Sequence, residues 1–365
     1  MKPVFRSTLT INFIVLIFTF SCQEQKATEK FSYPSWNKIS RLINKNSIVI
    51  FNTGDFTHND LVHLEMRKIS HDKNFPISLK VGGNLVRQSY IEIIKKKLKD
   101  KAVIVSPSQV DRPFDLSASI KQVSLDGVNF PLSFLKNKEG KLSSSIPWIN
   151  SNILKITTAK PYAPDNVSHS RVTSSQVKIM AINGPLELKK LSSNDRIGFY
   201  FQDEVSTLLK NKNLGLTVVL YHGETSCQGF HIEKPISFIK KEGMNIKCEP
   251  NDRLVNLIKR LPPKTIDLVV LSSKKQGAGF IDNIPVLFSG NSRDFIYPIV
   301  LNKKRKANMS YFVPGIKLCH KVFASTKDCV YEVGDEDLDE TRQSSLQKRG
   351  YGLIPAMFLG HEIKN

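Results

Sequence analysis

The sequence IDLVVLSSKKQGAGFIDNIPVLFSG, residues 266–290, decides the fold. Its first part, IDLVVL, and its last part, IPVLFSG, are short apolar runs rich in Val, Ile and Leu. Runs of this kind, bounded by turn residues, are typical of strands that are covered on both faces. The segment between them, SSKKQGAG over residues 272–279, is predicted to be a polar loop.

The same loop bears on whether the protein is an enzyme. His or Asp at close spacing after a buried strand would indicate a metal site. Residues 272–279 have neither, and they carry Lys274 and Lys275, which would repel a cation. These lysines are candidates for direct contact with a phosphate, and the alternative is that both are solvated loop residues.

Outward from this stretch, apolar runs alternate with helical patterns. Strands are predicted at residues 47–52, 102–105, 146–153, 177–182, 216–220 and 295–301. Helices are predicted after Gly83, over residues 203–212 and over residues 253–261. This order predicts an α/β fold, an α+β layered sandwich of mixed sheets flanked by helices.

Composition is that of a globular protein, and the charge has two interpretations. Hydrophobic residues make up 40% of the 365 residues and charged residues 24%. The formal net charge is +20, from 53 Lys and Arg against 33 Asp and Glu. Either the protein attracts an anionic ligand, lipid or polymer, or its basic residues are spread over solvated faces. Nucleic acid is not an expected partner, because no aromatic platform or known motif accompanies the charge.

The N-terminus predicts export. Lys2 and Arg6 precede an apolar run over residues 11–20, which is too short to span a bilayer and is typical of a secretory signal. The sequence TFSC ending at Cys22 is similar to a bacterial lipobox, in which the cysteine is lipidated, although its first two residues depart from the usual pattern. The alternative is plain secretion with cleavage near Ser21.

Four segments are expected on this basis. Residues 1–21 are a signal peptide of the lipoprotein type, and residues 22–45 are a tether. Residues 46–302 form the main domain, and residues 303–365 are a C-terminal extension with a disulfide. The expected location is the periplasm or the outer membrane, with the chain anchored to a membrane through lipid.

Four cysteines remain after Cys22, and an even number in an exported protein suggests two disulfides. Three connectivities are open to four cysteines. The choice that is local in sequence pairs Cys227 with Cys248 and Cys319 with Cys329. No Cys-x-x-Cys occurs, so neither a zinc ribbon nor a c-type haem is expected.

Two strand ends carry candidate metal ligands. Residues 47–52 lead into a loop that holds Asp55 and His58, and residues 216–220 lead into His222. Strands that deliver Asp and His from their carboxyl ends commonly build metal sites in α/β proteins. The alternatives are ordinary polar loop residues and, for His222, a hydrogen-bonded, half-buried histidine.

The order of these segments resembles the metallophosphoesterase domain of the 5′-nucleotidase family, in the calcineurin-like superfamily. The resemblance covers roughly residues 47–301. It rests on four segments: IVIFNTGDFTH over residues 48–58, GGNLVR over 82–87, YHG over 221–223, and the paired runs over 266–290, where Asp267 also matches.

The resemblance implies a two-metal phosphoesterase site that this chain has not kept. The positions that match family ligands are Asp55, His58 and His222. Ser106 and Pro107 stand where the family has Gly-Asp, and its Asn-His pair and final two histidines have no counterpart. The expected cofactor is none, or one weakly bound divalent metal of the manganese or zinc class.

The expected function is a non-catalytic binding or structural role in the cell envelope, carried by a degenerate 5′-nucleotidase-like domain. Its expected partners are the membrane, through the lipid anchor, and an envelope protein or an anionic ligand. The alternative is a metal-dependent phosphoesterase that hydrolyses nucleotides or other phosphate monoesters through Asp55, His58 and His222. No G-x-S-x-G, Walker, H-E-x-x-H or G-x-G-x-x-G motif competes with these two.

Overall fold

The structure of the protein is a computed structural model. Runs rich in Val, Ile and Leu form its central strands. All residues that the structure describes belong to one compact unit of the chain, residues 32–365. They are residues 39–54, 63–68, 76–81, 84–107, 125–130, 147–149, 168, 170–184, 215–223, 225–260, 265–271, 276–289, 295–319, 321–323, 329–330, 353–355, 357–358 and 361–363.

The helices among them are α1 (Asn84–Leu98) and α2 (Arg253–Arg260), with 3₁₀ turns at Lys99–Lys101, Phe238–Met244 and Ala307–Met309. In chain order the strands are β1 (Ser47–Asn52), β2 (His63–Lys68), β3 (Pro76–Val81), β4 (Ala102–Ser106), β5 (Gly127–Asn129), β6 (Trp148–Ile149), β7 (Ser170–Val172), β8 (Val177–Asn183), β9 (Leu216–His222), β10 (Ile236–Ser237), β11 (Leu268–Leu271), β12 (Gln276–Ile281), β13 (Ile284–Ser289), β14 (Phe295–Asn302), β15 (Tyr311–Phe312), β16 (Ile316–Lys317), β17 (Lys321–Phe323), β18 (Cys329–Val330), β19 (Leu353–Pro355), β20 (Met357–Phe358) and β21 (His361–Glu362).

Two large mixed sheets dominate this part of the chain. The first has the order β10-β15-β14-β1-β4-β5-β6, with β16 also paired to β14. Its strands β1, β4, β5 and β6 are parallel, and β14 runs antiparallel to β1. The second has the order β12-β13-β11-β9-β8-β7, with a parallel centre and an antiparallel strand at each edge.

The two sheets pack face to face, and helices cover the sandwich. Alternate residues of the central strands meet in one buried inter-sheet core that both sheets share. Leu254, Leu257 and Ile258 of α2, at helical spacing, pack on the opposite face of the second sheet. Helix α1 packs against β4 and buries Tyr90 and Ile94. The predicted class, a layered α/β sandwich with mixed sheets, is confirmed.

One part of the sequence prediction was wrong. Residues 272–279 were expected to be a loop, but Gln276 to Gly279 belong to β12, which pairs antiparallel with β13. The turn between the two strands is Asp282-Asn283, with φ of 48° and 66°. Positive φ at both turn residues is what a tight hairpin requires. The sequence Gly-Ala-Gly has no apolar alternation, so periodicity gave no sign of the strand.

The chain beyond the predicted boundary at residue 302 continues the first sheet. Strands β15 and β16 pair with β14. Further on, the Cys319 carbonyl accepts a hydrogen bond from the Tyr90 hydroxyl at 3.1 Å, and the Phe358 ring lies 4.8 Å from the Tyr90 ring. Helix α1 therefore contacts the last part of the chain.

Several predicted segments lie outside the described residues. They are the signal peptide, most of the tether and the helix over residues 203–212. Within the residues that are described, no helix is both long enough and apolar enough to cross a membrane.

Candidate functional site

The parallel strands of both sheets begin at one edge of the sandwich, here called the amino edge. Ser175, just before β8 in the second sheet, donates a hydrogen bond to the carbonyl of Asp100, just before β4 in the first. Arg305, just after β14, bonds to Asp267, just before β11. Since the central strands are parallel, their carboxyl ends share the opposite edge, here called the carboxyl edge.

Side-chain alternation determines which residues face the space between the sheets at the carboxyl edge. Ile48 and Ile50 belong to the inter-sheet core, so Asn52, two residues further along β1, faces the same space. The same alternation places one residue at the end of each of four other parallel strands so that it also faces this space. Together these positions form the carboxyl-edge cluster: Asn52 of β1, Asn129 of β5, Asn183 of β8, His222 of β9 and Ser289 of β13.

Side-chain hydrogen bonds from the ends of β1 and β4 hold the turn that follows β1. The Asn52 side-chain oxygen accepts a hydrogen bond from the Gly54 amide at 2.9 Å, and Gly54 has a φ of 68°, which a side chain would disfavour. Ser106, at the end of β4, donates to the Gly54 carbonyl at 2.7 Å. Ser106 therefore has a structural role, because its hydrogen bond holds the turn after β1.

Asn129 is the most unusual member of the cluster. Its side chain is 1% exposed, and among the residues that the structure describes neither of its two amide atoms has a hydrogen-bond partner. The Asn52 amide nitrogen, which is also buried, has no partner within the described part of the chain either. A buried amide without partners is costly, and such groups are therefore uncommon in stable folds. The cluster thus contains donors and an acceptor that remain available for hydrogen bonding.

Asn183 and His222 are direct neighbours in the second sheet. They pair in register at the ends of β8 and β9, and both face inward. The Gly184 amide donates to the His222 carbonyl at 2.7 Å, which extends the ladder one residue beyond the strands. Asn183 is buried and His222 is half-buried. Ser289, fully buried, donates from its hydroxyl to the Leu271 carbonyl at 3.2 Å.

The predicted ligands are placed only in part. His222 lies at the carboxyl end of its strand, as the sequence indicated. Asp55, His58, Lys274 and Lys275 lie outside the described residues. The three-ligand metal site and the phosphate contacts therefore stay predictions. Cys22, the predicted site of lipidation, is likewise outside them.

The described donors at the carboxyl edge do not fit a two-metal centre. They are three amides, one hydroxyl and one imidazole, whereas zinc and manganese sites are built mainly from carboxylates, imidazoles and thiolates. Over the part of the chain that the structure describes, no three His, Cys, Asp or Glu side chains lie together in a way that could hold a metal. A carboxylate at this edge would have to come from a residue such as Asp55.

Asp267, which matches the family's last motif, lies at the amino edge. Its carboxylate accepts a hydrogen bond from the Thr217 amide at 2.8 Å and two from the Arg305 guanidinium at 2.6 and 3.0 Å. Arg305 also donates to the Gly215 carbonyl at 3.1 Å. The hydrogen bonds to Asp267 raise the pKa of Arg305 above its usual value. Asp267 therefore joins the two sheets and is not part of the candidate site.

The disulfide between Cys227 and Cys248 is confirmed. Cys319 is also disulfide-bonded, but the side chain of Cys329 is outside the described part of the chain, so that pairing stays a prediction. The first disulfide lies beside Asp252, whose buried carboxylate begins α2.

Sequence reasoning missed Asp252, although an Asp directly before a helix is a recognisable N-cap. One carboxylate oxygen accepts from the Leu254 and Val255 amides at 2.9 and 3.2 Å. The other accepts from Thr225 and from both the amide and the hydroxyl of Ser226. Five hydrogen bonds satisfy this buried carboxylate, which gives it a structural role.

No protein-family model and no curated protein matches the chain. Solved structures do match. The chain is similar to the NAD nucleotidase NadN of Haemophilus influenzae, with 11% identity over 83% of this chain and 62% of that one, and a TM-score of 0.47. It is similar to a 5′-nucleotidase from Candida albicans, with 13% identity over 84% of this chain and 57% of that one, and a TM-score of 0.48.

A third similar structure is the calcineurin-like phosphoesterase YfkN from Bacillus subtilis, with 13% identity, 83% of this chain and 96% of that chain covered, and a TM-score of 0.42. The chain spans less than two thirds of the length of the first two.

Proposed function

We propose that the protein is an exported lipoprotein whose phosphoesterase-like sandwich serves as a binding or structural protein of the cell envelope and not as a two-metal hydrolase. Cys22 carries the lipid, and the chain after it tethers the sandwich to the membrane. The ligand is a small polar or anionic molecule or a segment of an envelope protein, held at the carboxyl edge.

The observation that carries this proposal is the chemistry of the carboxyl-edge cluster. Two-metal hydrolysis needs carboxylates and imidazoles that bridge and hold both ions. The described strand ends supply neutral amides and a hydroxyl, with His222 as the one imidazole among them. The unpaired amide atoms of Asn129 suit hydrogen bonds to a polar ligand.

Metal binding by the processed chain tests the proposal. Calorimetric titration with manganese and with zinc is expected to show no saturable binding, or one weak site that disappears in His222→Ala. His231→Ala is the matched control, because His231 is exposed and is not part of the carboxyl-edge cluster. Hydrolysis of p-nitrophenyl phosphate with either metal is expected to equal that of His222→Ala.

The alternative activity, hydrolysis of phosphate monoesters through Asp55, His58 and His222, has one structural observation in its favour. His222 and the end of β1, three residues before Asp55, lie at the same edge of the sandwich. Tight binding of one or two metal ions, lost in His222→Ala and kept in His231→Ala, would favour this enzyme and overturn the binding role.

A further inference from the structure

The amino edge, opposite the candidate site, brings together three segments that are distant in sequence. The segment before β1 receives a hydrogen bond at the Asn44 carbonyl from the Lys101 ammonium, at 3.1 Å. It receives another at the Asn46 carbonyl from the Lys303 amide, at 2.8 Å. Residues 39–46, 99–101 and 303–306 therefore form one continuous surface, which we call the basic edge.

The basic edge is densely and almost exclusively cationic. Asp100 is the one acidic residue in these three segments, and Arg305 is engaged by Asp267. The side chains that define the charge are exposed, apart from the half-buried Lys101. The six lysines that define the charge of the basic edge are Lys45, Lys99, Lys101, Lys303, Lys304 and Lys306. The sequence allowed scattered basic residues, but the fold gathers these six at one edge.

An exposed apolar side chain lies beside this charge. Ile239 is 63% exposed, and its neighbours attach it to the basic edge. The Ser237 hydroxyl donates to the Ala307 carbonyl at 3.3 Å, and the Phe238 amide donates to the Ser310 carbonyl at 3.0 Å. Lys240 and Lys241 follow directly and are exposed. Lysines beside an exposed apolar residue are typical of surfaces that bind at a membrane interface.

The chain also enters the sandwich at this edge. Ile39 is fully buried, and the turn that follows it leads through Asn46 into β1. The described chain therefore enters the sandwich at the basic edge, and the predicted signal and tether precede this point in the sequence. A lipid-anchored tether that ends here would hold the lysines near the membrane.

We propose that the basic edge docks on an anionic phospholipid surface, with its lysines at the lipid phosphates and Ile239 in the interface. Each lysine near such a surface contributes about fivefold in binding, and the effect falls off within a Debye length. The carboxyl edge then faces away from the membrane and is open to ligands. This inference draws on the proposed lipid-anchored tether but not on the proposed ligand site at the carboxyl edge.

Vesicle binding tests the proposal. The probe is the processed chain from residue 22 with Cys22→Ser, so that no lipid anchor contributes. We expect it to sediment with vesicles of phosphatidylcholine and phosphatidylglycerol, and not with phosphatidylcholine alone. Replacing Lys303, Lys304 and Lys306 by Gln is expected to weaken binding roughly a hundredfold at low salt. Thermal melting would show that the variant remains folded.

A control variant with the same change in net charge replaces Arg171, Lys234 and Lys247 by Gln. These residues are exposed and belong to none of the three segments of the basic edge, so little loss of vesicle binding is expected. Equal weakening in both variants would show an effect of net charge alone and overturn the docking surface. Unchanged binding after the Lys303, Lys304 and Lys306 replacements would do the same.

Ile239→Ser distinguishes a membrane from a soluble polyanion. It is expected to weaken vesicle binding about tenfold, because the apolar side chain no longer enters the interface. Binding to heparin, measured in parallel, is expected to stay unchanged in this variant. If the chain binds heparin through the same lysines but does not bind the anionic vesicles, the occupant is a polymer and the membrane proposal fails.

Discussion

Tyr90 shows how one side chain can join parts of the chain that are far apart in sequence. Its hydroxyl donates to the Cys319 carbonyl at 3.1 Å and accepts from the Cys319 amide at 3.2 Å. All of these groups are buried. Water cannot replace a lost partner at this buried position. The contribution of the hydroxyl to the free energy of unfolding is therefore that of two buried hydrogen bonds.

Tyr90→Phe is expected to lower the free energy of unfolding by about 1–3 kcal/mol, since it leaves the Cys319 amide and carbonyl without this partner. Urea unfolding measures the change. Tyr311→Phe is the control, because its hydroxyl donates to the Asn308 carbonyl at an exposed position. The control is expected to change stability by less than about 0.5 kcal/mol. Equal effects in the two variants would contradict the buried role of Tyr90.

At the scale of elements, the hairpin of β12 and β13 depends on the backbone of its turn. Asp282 and Asn283 both have positive φ. Asn tolerates this conformation better than most residues, and Gly tolerates it without cost. Lys241 donates to the Asn283 side chain at 3.0 Å, but at an exposed position where the contribution is small. The turn is therefore held mainly by conformational preference.

Two substitutions at residue 283 separate these effects. Asn283→Ala is expected to lower the free energy of unfolding by about 1 kcal/mol, because alanine is strained at positive φ. Asn283→Gly is expected to keep or slightly raise stability, although it also loses the contact with Lys241. Urea unfolding of both variants provides the comparison. An alanine variant as stable as the glycine variant would show that the backbone strain is unimportant.

At the scale of the whole molecule, the Cys227–Cys248 disulfide closes a segment that contributes to the inter-sheet core. Phe238 and Met244, both within that segment, are buried among residues of the two sheets. The segment also pairs with β12, through Phe230 opposite Ala278. The disulfide therefore constrains a part of the chain on which the packing of both sheets depends.

Replacing Cys227 and Cys248 together by Ala is expected to lower the free energy of unfolding by about 3 kcal/mol, because the unfolded chain gains the freedom of a loop of 21 residues. Urea unfolding under oxidising conditions measures the loss. A variant that unfolds at the same urea concentration as the natural chain would show that the remaining contacts of the segment are sufficient.

The sequence by itself determined the central strands and the layered fold. Strands β1, β4, β8, β9, β11, β13 and β14 each come from a local run of apolar residues, and such runs form buried strands wherever they lie in the chain. The position of His222 at a strand end and the disulfide of Cys227 with Cys248 were also predicted from local order. These features depend on neighbours in sequence.

Only the tertiary structure decided which side chains meet. The amides of Asn52, Asn129 and Asn183 face one space because strand pairing and alternation bring them there. Asp267 looked like part of a motif, but its strand begins at the opposite edge, where Arg305 binds it. The lysines of the basic edge come from distant segments, and Lys45 and Lys306 are 261 residues apart in the sequence. Contacts of this kind depend on pairing between distant strands, which no local pattern encodes.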